Sequence, residues 1–281
     1  MKMVAINPTS ASSINIARTA LQDISLALNP IKFARLLLGN DPDDWQKELL
    51  LSNEKRIILN CSRQSGKSTI TAILALHHAL NNPGSLVLVI SPSYRQSTEL
   101  FRKIAEFYQD LGRPVPSDAE NKHTLELSNK SRIISLPGKE QTIRGFSGPS
   151  LIVVDEAARV PDELYYGAAR PMLAVSQGRI ILLSTPFGKR GFFFKEWSES
   201  AAWKKIKITA YECPRITPEF LEEERIALGE WFYNQEFCCE FGENIDAYFT
   251  DREIQDSISA DVKPLFGPDG KLNRERWGTQ S

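Results

Sequence analysis

The residues best suited to chemistry are Lys67 and Ser68, which stand in Cys61-Ser62-Arg63-Gln64-Ser65-Gly66-Lys67-Ser68-Thr69. An apolar run, Arg56-Ile57-Ile58-Leu59, precedes this stretch, and a helix-spaced run from Ile70 to Leu76 follows it. Strand, loop, Gly-Lys-Ser and helix are the context of a phosphate-binding loop, in which backbone N–H groups and the helix N-terminus surround the phosphates. A lysine at position 67 reaches β- and γ-phosphates, and a hydroxyl at 68 suits Mg²⁺. The pattern G-x-x-x-x-G-K-[ST] is broken at its first glycine, where Cys61 stands. A second constellation is Leu151-Ile152-Val153-Val154-Asp155-Glu156, four apolar residues running into two carboxylates. At the carboxyl end of a central strand, Asp155 would hold a metal shell and Glu156 would polarise water for in-line attack. Acidic residues also open helices, but the upstream phosphate loop favours the chemical reading. A third is Ile180-Ile181-Leu182-Leu183-Ser184-Thr185-Pro186, whose hydroxyls at the same edge can sense a γ-phosphate. A plain strand-to-turn signal gives the same pattern.

Other candidates are less determined. The Gln46 amide, in Trp45-Gln46, can pair with the N6/N7 edge of adenine, and an exposed glutamine on an amphipathic helix explains it equally well. Arg63 inside the loop could stabilise phosphoryl charge in cis, and Arg144, in Gln141-Thr142-Ile143-Arg144-Gly145-Phe146, could do so from a neighbouring subunit. A surface arginine accounts for Arg144 as readily. Gly188-Lys189-Arg190-Gly191-Phe192-Phe193-Phe194 could touch a nucleic-acid backbone or be an apolar helix face with basic flanks.

The elements that must carry these residues follow from periodicity. Buried strands are expected at 56–59, 86–90, 151–154 and 180–183, alternating with helices, which indicates a parallel sheet covered on both faces. A hairpin is expected over 122–127 and 131–136. Helical spacing also marks 14–28, 31–38, a segment from Trp45, 94–111, 219–228 and 231–240. The chain divides into an N-terminal helical segment (1–40), a phosphate-loop core (41–212), a helical linker or lid (213–259) and a loose tail (260–281). The formal net charge of −1 gives no global sign of nucleic-acid binding. Cys61, Cys213, Cys238 and Cys239 form no C-x-x-C pair, which fits reduced thiols in a cytosolic protein. No run approaches the ~18 apolar residues of a membrane span, and the N-terminus does not read as a signal peptide. His77, His78 and His123 lack metal-ligand spacing.

Taken together these motifs resemble the ATPase domain of phage large terminase subunits, the DNA-packaging motors. The resemblance rests on Ser62-Arg63-Gln64-x-Gly66-Lys67-Ser68-Thr69, Val153 to Val160, Trp45-Gln46, and Ser184-Thr185-Pro186 followed by Gly188 and Gly191. Phe237 to Phe241, continuing through Phe249, is similar to the segment that leads into the family's nuclease domain. The resemblance implies an α/β P-loop NTPase of the ASCE/RecA-like kind, with a doubly wound, mainly parallel sheet and a small C-terminal helical subdomain. It implies ATP and Mg²⁺ as cofactors, Ser62 to Thr69 as the nucleotide cradle, Asp155 and Ser68 on the metal and Glu156 as base. Gln46 would sit on adenine, Ser184-Thr185 would be the coupling motif, and Arg63 and Arg144 would be the arginine candidates. Implied partners are double-stranded DNA, a small terminase subunit, the portal of the procapsid and further copies in a ring. The setting would be the cytoplasm of the infected bacterial host, with no membrane. Only about 20 residues follow Ser259, below the ~50 of a small domain, so no nuclease activity is expected from this chain. A superfamily 2 helicase would need a second RecA-like domain with an arginine-rich motif. A GTPase would need Asn-Lys-x-Asp, where Asn129-Lys130 continues as Ser131-Arg132. A non-catalytic assembly module would not need Lys67, Ser68, Asp155 and Glu156 intact.

Overall fold

The computed structural model describes residues 23–138, 143 and 145–243. Arg144, residues 14–22 of the first expected helix, residues 244–259 and the tail lie outside these. One compact unit extends to Gly242. Its sheet comprises β1 (Arg56–Cys61), β2 (Leu86–Ser91), β3 (Ser117–Glu120), β4 (Thr124–Leu127), β5 (Arg132–Pro137), β6 (Leu151–Asp155), β7 (Arg179–Ser184) and β8 (Lys204–Ile208). The strand order is β3-β4-β5-β2-β6-β7-β1-β8. Along this order every pairing from β5 to β8 is parallel, and the antiparallel pairings are β3 with β4 and β4 with β5, so β4 alone runs against the sheet.

Near-continuous apolar strands are what a sheet covered on both faces requires. Alternation along each strand sorts the side chains between two cores. Ile57, Leu59, Val87 and Val89 pack with helices Asp44–Leu51, Lys67–Asn81 and Tyr94–Asp110, whereas Ile58, Leu88, Ile90 and Val154 pack with Tyr165, Phe192 and Phe193. Phe192 and Phe193 are buried on helix Gly191–Ser198, so this run does form an apolar helix face, with Lys189 and Arg190 exposed before it. Burying each such side chain contributes ~1.5–3 kcal/mol.

The expected hairpin is present, turned at Lys130 with φ 70°, and its second strand enters the main sheet beside β2. Two strands were not expected. β3 is short and mostly exposed, and β8 is an edge strand, Lys-Lys-Ile-Lys-Ile, that buries Ile206 and Ile208 and turns its lysines outward. The last helix, Pro218–Glu236, is broken at Gly229 (φ 72°, ψ 162°), where two helices were expected; it ends at Glu236 rather than Glu240.

Candidate active site

β7 lies between β1 and β6, with Asn60 beside Ser184 and Asp155 beside Leu183. All three strands therefore deliver their carboxyl ends to one edge, where the order of the sheet places a ligand crevice. The loop from Ser62 to Gly66 leaves β1 at this edge and enters helix Lys67–Asn81.

The missing first glycine has a backbone explanation. Cys61 is still in β1, paired with Ile208, and needs no left-handed conformation. Positive φ falls instead on Gln64 (56°) and Gly66 (91°). Cys61 is fully buried and burial pushes its pKa up to about 12, so it stays a thiol. Ser62 and Ser65 are buried, and the Ser65 hydroxyl closes the loop on the Ser62 carbonyl at 3.0 Å. Thr69 is half-buried in the first turn of the helix.

Lys67, 8% exposed, places Nζ 3.3 Å from Glu156 Oε1. Burial alone would lower its pKa, but the Glu156 and Asp155 carboxylates reverse this and the net shift is upward. The Ser68 hydroxyl lies 3.4 Å from Asp155 Oδ2, a long contact, and the Ser184 hydroxyl lies 3.4 Å from Glu156 Oε2. Glu156 sits at φ 49°, a left-handed conformation that turns the chain sharply out of β6. Thr185 is buried next to Ser184. Asp155 is buried, its Oδ1 has no hydrogen-bond partner, and burial followed by the Glu156 charge pushes its pKa up to about 6. An orphaned buried carboxylate oxygen beside a serine hydroxyl is a donor set for a hard, oxygen-seeking cation such as Mg²⁺. Among the described residues no group of three or more His, Cys, Asp and Glu could hold a metal alone. Mg²⁺ commonly completes its shell with water and phosphate oxygens. A cleft of about 240 Å³ opens against Ser68, Asp155 and Glu156, walled by Arg95, Glu99 and Lys103. A larger cleft of about 660 Å³, beside Leu26, Phe33 and Val115, includes none of these residues.

Gln46 is buried, and a Cβ built on Gly66 would lie 3.2 Å from its Nε2, so helix Asp44–Leu51 does bring it over the phosphate loop. The exposed-glutamine reading is excluded. Arg63 has its side chain turned to Glu236, Nε to Oε2 at 2.7 Å, while its own N–H bonds the Glu236 carbonyl. Arg159 reaches the other Glu236 oxygen at 3.8 Å. Sequence reasoning missed Arg215, which donates to Asp43 and to the Ser65 carbonyl at 3.0 Å. No local pattern around position 215 signals a contact 150 residues away in the chain.

The terminase large subunit from Thermus phage G20c is 27% identical over 175 residues, covering 56% of this chain and 36% of that protein, so the matched region is about a third of its length. The Thermus phage P74-26 large terminase ATPase domain superposes with TM-score 0.65 at 20% identity, covering 74% of this chain and 96% of that one. A large terminase from a thermophilic bacteriophage, in complex with ADP, superposes with TM-score 0.56 at 13% identity, over 75% and 53% of the two chains. These likenesses give the fold, a P-loop NTPase. The family described as terminase large subunit, T4likevirus-type, N-terminal, matches residues 58–256, and this chain belongs to it.

Proposed function

We propose that the chain is an ATP-hydrolysing motor domain that drives double-stranded DNA into a procapsid. The observation that carries this is the convergence of Lys67, Ser68, Asp155, Glu156 and Ser184 on one sheet edge. The ADP complex of the thermophilic phage relative supports a nucleotide in this crevice. Ser62 to Thr69 would cradle its phosphates, and Ser68 with Asp155 would hold Mg²⁺, which would supply charge neutralisation to the phosphates. Glu156 accepts a proton from water as the water oxygen bonds Pγ and the Pγ–O bond to ADP breaks, leaving inorganic phosphate. The Lys67 contact bears on this step. A γ-phosphate competes for the ammonium now on Glu156 Oε1, and that competition releases the carboxylate for water. Ser184, on the other Glu156 oxygen, would register the change and pass it to β7. Arg63 and Arg144 are the candidates for stabilising the transferring group, Arg63 by leaving Glu236. Partners in this reading are double-stranded DNA, a small terminase subunit, the portal and further copies in a ring, in the host cytoplasm.

The test is the ATPase rate of the purified chain alone, with double-stranded DNA, and with procapsid and small subunit. Activity is expected to be weak alone and to rise with these partners. Lys67→Ala and Glu156→Ala should each abolish turnover, with ATP binding kept in Glu156→Ala and lost in Lys67→Ala. Absence of binding and hydrolysis under every condition would overturn the reading, and wild-type turnover in Glu156→Ala would remove that residue from its role.

A further inference from the structure

A side chain from beyond the sheet joins the start of helix Asp44–Leu51 to the phosphate loop. Arg215 spreads its guanidinium over the Asp43 carboxylate, Nη1 to Oδ1 at 2.9 Å and Nη2 to Oδ2 at 2.6 Å, and Nη2 also donates to the Ser65 carbonyl at 3.0 Å. Asp43 precedes helix Asp44–Leu51, and its backbone N–H donates to Gln46 Oε1 at 2.9 Å. That N–H can only donate, so the amide oxygen must face it and Nε2 is turned toward Gly66. Beside Asp43 a cleft of about 410 Å³ is lined by Trp45, Glu212 and Pro214. An amide fixed in this sense offers one acceptor and one donor, the complement of adenine N6–H and N7. Guanine presents two acceptors there and meets the amide oxygen unfavourably. We infer that Arg215 is a specificity-determining positioning residue: its bidentate grip on Asp43, anchored on the Ser65 carbonyl, sets Gln46 at the distance from the phosphate loop that selects an adenine nucleotide. The inference rests on reading Gln46 as the base contact.

The experiment measures equilibrium binding of ATPγS, GTPγS and inorganic tripolyphosphate, each with Mg²⁺, to the full chain. Wild type should prefer ATPγS by roughly tenfold or more, the worth of one bidentate base contact. In Arg215→Lys and in Asp43→Asn that preference should fall to within about threefold of unity, because neither pair can make the two-armed contact. Asparagine still caps a helix, and tripolyphosphate affinity should stay within about twofold in both variants, a control that a collapsed phosphate loop would fail. Arg215→Lys separates the brace from bulk charge, since lysine keeps the cation. Wild-type selectivity in Arg215→Lys, or equal loss of tripolyphosphate binding, overturns the inference and leaves the adenine reading standing. Equal affinity of wild type for ATPγS and GTPγS overturns both.

Discussion

Burial and the neighbouring Glu156 charge push the Asp155 pKa from the ordinary 3.8 to about 6, and Oδ1 has no partner to offset the loss of water. The folded state therefore favours the protonated form more than the unfolded chain does. Above pH 6 ionised Asp155 opposes folding, and below about pH 4 both states are protonated and the effect vanishes. Asp155→Asn removes the charge at nearly constant shape. It should stabilise the nucleotide-free protein at pH 8 by up to about 3 kcal/mol, the value of this pKa difference at 1.36 kcal/mol per pH decade. The gain should shrink between pH 6 and pH 4, read by thermal melts across that range. A variant less stable than wild type at pH 8, or an equal gain at pH 4, would sink the argument. The identities of Lys67, Ser68, Asp155 and Glu156 were legible in the sequence because each closes a short local pattern. Their electrostatic coupling was not, because it depends on β7 lying between β1 and β6.

Element boundaries show where local pattern suffices and where it does not. Gly229, in Ala-Leu-Gly-Glu-Trp, marks a break that periodicity locates, and the break is real: ψ 162° with φ 72° is a conformation nearly reserved for glycine. A Cβ at 229 would meet nothing within 4 Å, so any penalty is in the backbone. Gly229→Ala should cost about 1–3 kcal/mol, read as a lower denaturant midpoint with an unchanged slope. An unchanged midpoint would show that the chain straightens through 229 at no cost. The kink also lets the following turn lay Gln235 on the Gly188 N–H and Glu236 on Arg63. By contrast β8 escaped detection, although Lys205-Ile206-Lys207-Ile208 alternates as a half-buried strand should. No element is expected over 204–208 in the sequence, yet its lysines are the charged side chains that an edge strand uses to block further pairing.

At the scale of the whole molecule, the crevice is assembled from parts far apart in the chain. Residues 43–46, 62–68, 155–156, 184 and 215 meet through one sheet and the contacts that cross its edge. The sheet itself was readable because β1, β2, β6 and β7 each carry an unbroken apolar run. The brace at Arg215 was invisible because its meaning exists only after the chain has folded back. This wiring predicts how ligand binding should register in stability. A ligand at 100 times its Kd, bound only by the folded state, adds about 2.7 kcal/mol. For a chain of this size that is roughly 5–10 °C in Tm. Because the cradle draws on residues from 43 to 215 that one sheet holds together, ATPγS with Mg²⁺ should move one cooperative transition as a whole. Lys67→Ala should lose most of the shift by losing the phosphate contact. Glu156→Gln should keep it, since removing the carboxylate frees Lys67 for phosphate. Calorimetry of the three proteins with and without nucleotide decides the matter. A wild-type-sized shift in Lys67→Ala would place the nucleotide elsewhere, and a transition that splits on ligand addition would show that the cradle folds apart from the sheet.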